Sequence, residues 1–101
     1  MSLYVDVIKF NTKIIKIKKP EGQFRDMTVD QALCFKRAVK EKLSGFMAAW
    51  GKSDRSEQIN AITDIVYFAL GTLVKMGITN EQFKHICKEI QASNMEKKIL
   101  K

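Results

Sequence analysis

Between Ser56 and Met76 apolar residues return with the period of a helix. Ile59, Ile62, Val66, Ala69 and Leu73 fall at i, i+3, i+7, i+10 and i+14, one face of a 3.6-residue repeat. Ile65, Phe68 and Leu70 add apolar surface on other faces, which predicts a central helix covered by neighbours on most sides. Asp64 sits in the middle of this pattern. A carboxylate in apolar surroundings is costly unless something pairs with it, so the partner of Asp64 becomes the main question.

The same pattern reading divides the rest of the chain. Leu3–Asn11 has Val7 and Phe10, and Tyr4 and Ile8, at helical offsets, which predicts a short first helix; its Val and Ile content also admits a strand. Thr12–Pro20 alternates Ile and Lys, consistent with an edge strand or with a basic loop, and residues 13–27 as a whole read as a basic linker or loop closed by the Pro20-Glu21-Gly22 turn. Thr28-Val29-Asp30-Gln31 has capping-box form and predicts a helix from about Val29. Phe35, Val39, Leu43, Phe46 and Trp50 are its main stripe, with Ala38, Lys42, Gly45 and Ala49 beside it. Gly45 in a helix interior costs up to about 1 kcal/mol against Ala, which points to a packing or site reason for it. Ser53 or Asp54 caps the central helix, which stops at Gly77. Thr79-Asn80-Glu81-Gln82 is a second capping box, opening a last helix expected to end around Ser93–Asn94, before a basic tail over 95–101. The expectation is a single domain over 1–101, all-α, of about four helices with short connections.

Composition narrows the class. The 101 residues suit one domain with a modest core, and 46% hydrophobic content with one Pro and five Gly excludes a fibrous or disordered composition. Ile65–Val74 is too short to span a bilayer, and no charged start leads into a long apolar segment. Cys34 and Cys87 lie in helical patterns without CxxC spacing, so the expectation is two reduced, half-buried thiols and a cytoplasmic location. Net charge is +7, of which +4 falls in residues 1–25. Such a balance attracts nucleic acid, nucleotides and other phosphates alike.

On the central helix Glu57, Asn60 and Asp64 share a face at i, i+3 and i+7. The short Gly51–Asp54 link favours antiparallel packing with the preceding helix, which would let Glu41 and Asp64 converge on an oxygen-rich Mg²⁺ site. The competing reading leaves Glu41 and Glu57 in solvent and pairs Asp64 with Lys42 or Arg37. Both stay open at this level.

These residues resemble a family. NAITDIVYFALGTLVKMGI is similar to the DAxxDxxYxxxGxxxxxGI helix of MazG-like nucleotide pyrophosphohydrolases, above all the small phage-type, phosphoribosyl-ATP pyrophosphohydrolase-like members. SNMEK resembles their closing aNMxK, VDVIKFN their opening dVxxFh, and Glu41–Gly45 aligns with their EExxE, with Arg37 before it. The resemblance implies an all-α bundle completed by dimerisation or tetramerisation, and Mg²⁺-assisted splitting of a nucleoside triphosphate into monophosphate and pyrophosphate. Carried over residue by residue, it places catalysis on Glu41 and Asp64. Metal binding falls to the same two with Glu57 standing in for a lost acid, and substrate binding to Arg37, Lys42, Asn60, Tyr67, Asn94 and Lys97. The departures are large. Of EExxE only Glu41 remains, the others reading Lys42 and Gly45; the first Asp of DAxxD reads Asn60, and the Glu of the alternative ExxD form reads Ala61. A lysine in a ligand position puts positive charge where the metal would sit, and can hold phosphate without generating a metal hydroxide.

Two readings of different classes follow. One is a pseudoenzyme that keeps the fold and binds a nucleotide or partner through Lys42, Arg37, Asn94 and Lys97. The other is an active pyrophosphohydrolase working through a reduced site of Glu41, Glu57 and Asp64. Erosion of the motif favours the first. A third class, nucleic-acid binding through Lys13–Lys19, has the charge but no aromatic residues within that segment for base stacking. His85, with no second ligand near it in sequence, reads as an ordinary surface residue. The small core predicts at least a homodimer, with the central helices near the interface.

Overall fold

The computed structural model describes the backbone of residues 2–100 and the side chains of residues 2–97. Four helices follow one another: α1 (Leu3–Lys13), α2 (Val29–Gly51), α3 (Arg55–Lys75) and α4 (Asn80–Leu100). There is no strand among the described residues, so the Thr12–Pro20 alternation forms the end of α1 and an irregular basic loop. The protein is an all-α bundle.

Local chemistry sets the boundaries. Ser2 Oγ accepts from the Val5 amide at the start of α1. Both capping boxes form: Thr28 and Gln31 exchange hydrogen bonds of 3.0 and 3.1 Å, and Thr79 and Gln82 exchange bonds of 2.9 and 3.2 Å. Asp54 caps α3 by accepting from the Glu57 amide. Gly77 ends α3 at φ +88°, where only glycine is unstrained. The last helix does not stop at Ser93–Asn94 as expected. It runs to Leu100, because Met95, Glu96, Lys97 and Leu100 are good helix formers and no Gly or Pro intervenes. Lys101 of the expected tail lies outside the described residues.

The loop after α1 is tied to the end of α3. Gly22 N–H donates to Gly77 O at 3.0 Å and Arg25 N–H to Met76 O at 2.8 Å. The Arg25 guanidinium donates to Lys75 O and Val74 O, both at 3.3 Å. Carbonyls left without helical partners are satisfied, and positive charge meets the negative end of the α3 dipole.

The core sits where α1, the C-terminal half of α3 and the start of α4 meet. Tyr4, Val7, Leu70 and Val74 are buried, with Ile8, Leu73, Ile78 and Phe83 packed against them. Tyr4 stacks on Phe83 with ring centroids 4.4 Å apart and donates its hydroxyl to Ile78 O at 2.6 Å. Burial of each of these large side chains contributes about 1.5–3 kcal/mol.

α2 packs antiparallel on α3 and leaves most of its surface open. Ala49 is its only buried residue; Ala61 is the nearest equivalent on the N-terminal half of α3. The expected stripe of the central helix is therefore only partly covered: Ile59, Ile62 and Val66 are exposed, and so are Leu43 and Trp50 on α2. Gly45 is exposed too, and a Cβ there would meet nothing within 4 Å, so no close approach requires it. Cys34 and Cys87 are exposed thiols, not half-buried ones.

Candidate functional site

Beyond the core, one face of α3 carries Asp64, Tyr67, Phe68, Gly71, Thr72 and Lys75, at i, i+3, i+4, i+7, i+8 and i+11. Together with Phe10 and Asn11 of α1, Ile15 of the following loop and Cys34 and Phe35 of α2, this face encloses a cleft of about 520 Å³. That is the size of small-ligand pockets in general. Asp64 and Lys75 mark its two ends, about 16 Å apart along the helix axis by residue count.

Asp64 has a partner. Lys42 Nζ lies 3.1 Å from Asp64 Oδ2, with both side chains partly exposed. The pairing stabilises the hairpin by no more than about 1 kcal/mol. Its consequence is chemical, since it fixes a cation beside the one carboxylate that lines the cleft.

The antiparallel hairpin brings Lys42, not Glu41, to Asp64. Neighbouring residues on a helix are turned by 100°, so a lysine facing α3 swings Glu41 away, and Glu41 is exposed. Glu57 lies two turns before Asp64 and is exposed, as is Asn60. Among the described residues no three His, Cys, Asp or Glu side chains gather into a group able to hold a metal ion. Tyr67 lines the cleft one turn from Asp64. Arg37, Asn94 and Lys97 are exposed, without side-chain hydrogen bonds or ion pairs among the described residues. His85 pairs with Glu89 at 3.0 Å on the outer surface of α4.

Of the site residues expected from sequence, Asp64 and Tyr67 line this cleft and Lys42 stands beside it on Asp64; the other lining residues were not among those expected. Gly71 and Thr72 were detectable, since they follow Asp64 at i+7 and i+8 on the face that carries Tyr67. Asn11 was not. Its place depends on the packing of α1 against α3, sixty residues away, and it is buried with Nδ2 donating to Val7 O at 2.9 Å.

No helix of the described residues is long and apolar enough to cross a membrane. No match was found among curated proteins or among solved structures. The family model described as phosphoribosyl-ATP pyrophosphohydrolase matches residues 7–94, a span that takes in most of α1, all of α2 and α3 and the greater part of α4. By that match, the chain belongs to the phosphoribosyl-ATP pyrophosphohydrolase family, within the MazG-like superfamily.

Proposed function

We propose that this chain binds a nucleotide by its phosphates at Lys42 and has reduced or lost the pyrophosphohydrolase activity of its family. The observation that carries the reading is the 3.1 Å contact between Lys42 Nζ and Asp64 Oδ2. Members of the superfamily are typically dependent on a divalent metal. Mg²⁺ demands several oxygen donors with negative charge among them. Here one carboxylate lines the cleft and an ammonium already rests on it, while Glu41 and Glu57 stand exposed elsewhere. That donor set does not fit a resident Mg²⁺. It leaves the ammonium of Lys42 to meet a phosphate at the mouth of the cleft; Arg37 lies outside the cleft lining, and Asn94 and Lys97 sit on α4, which makes no helix packing contact with α2 or α3.

Assembly belongs to the same reading. Leu43, Met47, Trp50, Ile59 and Ile62 expose 50–63% of their surface on the half of the hairpin beyond the Lys42–Asp64 pair. A second copy of the chain covers this face in at least a homodimer.

The test uses the eight common ribo- and deoxyribonucleoside triphosphates, each with Mg²⁺ or Mn²⁺, and measures pyrophosphate. The expected result is no release above background, with triphosphate binding that persists in chelator and weakens about tenfold in Lys42→Met. Release that disappears in Asp64→Ala overturns the proposal and assigns an active enzyme working through Glu41, Glu57 and Asp64.

A further inference from the structure

Asp64 and Lys75 hold the ends of the cleft, and the most buried polar side chain between them is Asn11. It is more than nine-tenths buried, and its Nδ2 donates to Val7 O at 2.9 Å. That carbonyl is already engaged by the i→i−4 pattern of α1, so the helix does not need the amide. A primary amide has two N–H donors and one acceptor oxygen, and the bond to Val7 uses a single donor. Oδ1 accepts no hydrogen bond from the described residues, and no buried side-chain polar atom is shut away without a partner, which leaves Oδ1 open with the second N–H beside it. Gly71 keeps the space before this edge free. A Cβ there would stand 3.3 Å from Nδ2 and 3.6 Å from Oδ1, nearer than the 3.8 Å to Cγ, and so before the edge instead of behind it. Phe10, Phe35, Tyr67 and Phe68 stand in the same lining.

A polar edge buried among aromatic rings is costly until it is matched, and aromatic walls suit a flat ring. A donor beside an acceptor pairs with a ring that carries an acceptor beside a donor, the way an amide reads a base. Amino bases offer this as a ring nitrogen next to the amino group, and keto bases as a ring N–H next to the oxygen. Gly71 follows Asp64 by seven residues, about 10 Å along α3, which leaves room for a sugar and a ring between Lys42 and Asn11. We infer that Asn11 anchors the nucleobase through both bonds at once and takes amino and keto bases alike. The inference rests on the nucleotide reading above and names the contact its base makes.

Nucleosides separate the two claims because they carry no phosphate. The full chain, isotopically labelled, is titrated with adenosine, inosine, cytidine and uridine, and with inosine and uridine methylated on the ring nitrogen that bears the N–H. Amide shifts of Asn11 and Gly71 are followed by NMR. The four unmethylated nucleosides should bind within about threefold of one another, since each forms the same two bonds. Each methylated form should bind at least about tenfold more weakly than its parent, the loss of two net hydrogen bonds. Asn11→Leu, close in volume, should bring inosine and uridine down to their methylated forms. Gly71→Ala should do the same by filling the space before the edge, while Lys42→Met leaves the differences unchanged. Methylated forms that bind as tightly as their parents, a wide preference among the four, or nucleosides that leave these amides unshifted overturn the inference without any variant. A gap that persists in a folded Asn11→Leu overturns it as well. A gap that holds while Lys42→Met has no effect on triphosphate binding overturns the phosphate reading and not this one.

Discussion

Tyr4 carries a hydroxyl into the core and gives it one acceptor, Ile78 O. Burial pushes its pKa up to about 12 from the ordinary 10.0. The folded state therefore holds the phenolic proton more tightly than the unfolded chain does, and stability from this group is complete below pH 10 and lost as pH rises toward 12. A shift of this size corresponds to about 2–3 kcal/mol. Urea unfolding followed from pH 8 to pH 12 should show a loss of that order in the wild type beyond the loss in Tyr4→Phe. At neutral pH the variant should be destabilised by about 1 kcal/mol through the missing hydrogen bond. Matching pH profiles for the two proteins would show that ionisation of Tyr4 is not resisted by the fold. Residues also mark where sequence reading stops. Asp64 stood out because its neighbours in sequence are apolar, but its side chain is half exposed, so burial does not force a partner on it. Whether Lys42, Arg37 or a metal met it depended on the rotation of α2 about its own axis, which spacing along one helix does not define.

At the level of elements, starts were more legible than stops. Each capping box is a local event within four residues, and both formed where their side chains predicted. The end of α4 was misplaced because Ser93–Asn94 discourages a helix only mildly while the following residues favour one. Two glycines make the contrast testable. Gly77 has φ +88°, and a Cβ there would overlap the Gln23 carbonyl oxygen, backbone that is held in place by the Gly22 and Arg25 hydrogen bonds on either side. Gly77→Ala should destabilise by at least about 2 kcal/mol, combining left-handed strain with displacement of that loop. Gly45, in the middle of α2 with open space around it, should behave in the opposite way: Gly45→Ala should stabilise by about 0.5–1 kcal/mol through helix propensity alone. Chemical denaturation of both variants checks the pair. A destabilising Gly45→Ala would indicate that something outside this chain packs against that position.

The whole molecule is where a single chain falls short of what its composition asks for. Its radius of gyration is 15.7 Å, against about 13 Å for a compact domain of this length. The excess comes from the hairpin, whose far half has no neighbour among the four helices: only α2 and α3 cover one another there, through small residues such as Ala49 and Ala61. The periodic stripe of Ile59, Ile62 and Val66 was legible as an apolar face, but a stripe in sequence does not say whether its cover comes from the same chain. With Leu43, Met47 and Trp50 nearby on α2, this end of the hairpin leaves six large apolar side chains in water, and the proposed second copy is the arrangement that removes them. Light scattering at micromolar concentration should then return twice the 11.6 kDa of one chain or a higher even multiple. Ile62→Asp together with Trp50→Asp should shift the mass to that of one chain while leaving Tyr4 and Val74 buried, since the core lies at the other end of α3. Far-ultraviolet circular dichroism of the double variant, compared with its mass, separates dissociation from unfolding. A wild-type protein that stays at 11.6 kDa across the micromolar range would assign the exposed face to a different partner and leave the cleft of Asp64 to be completed within one chain.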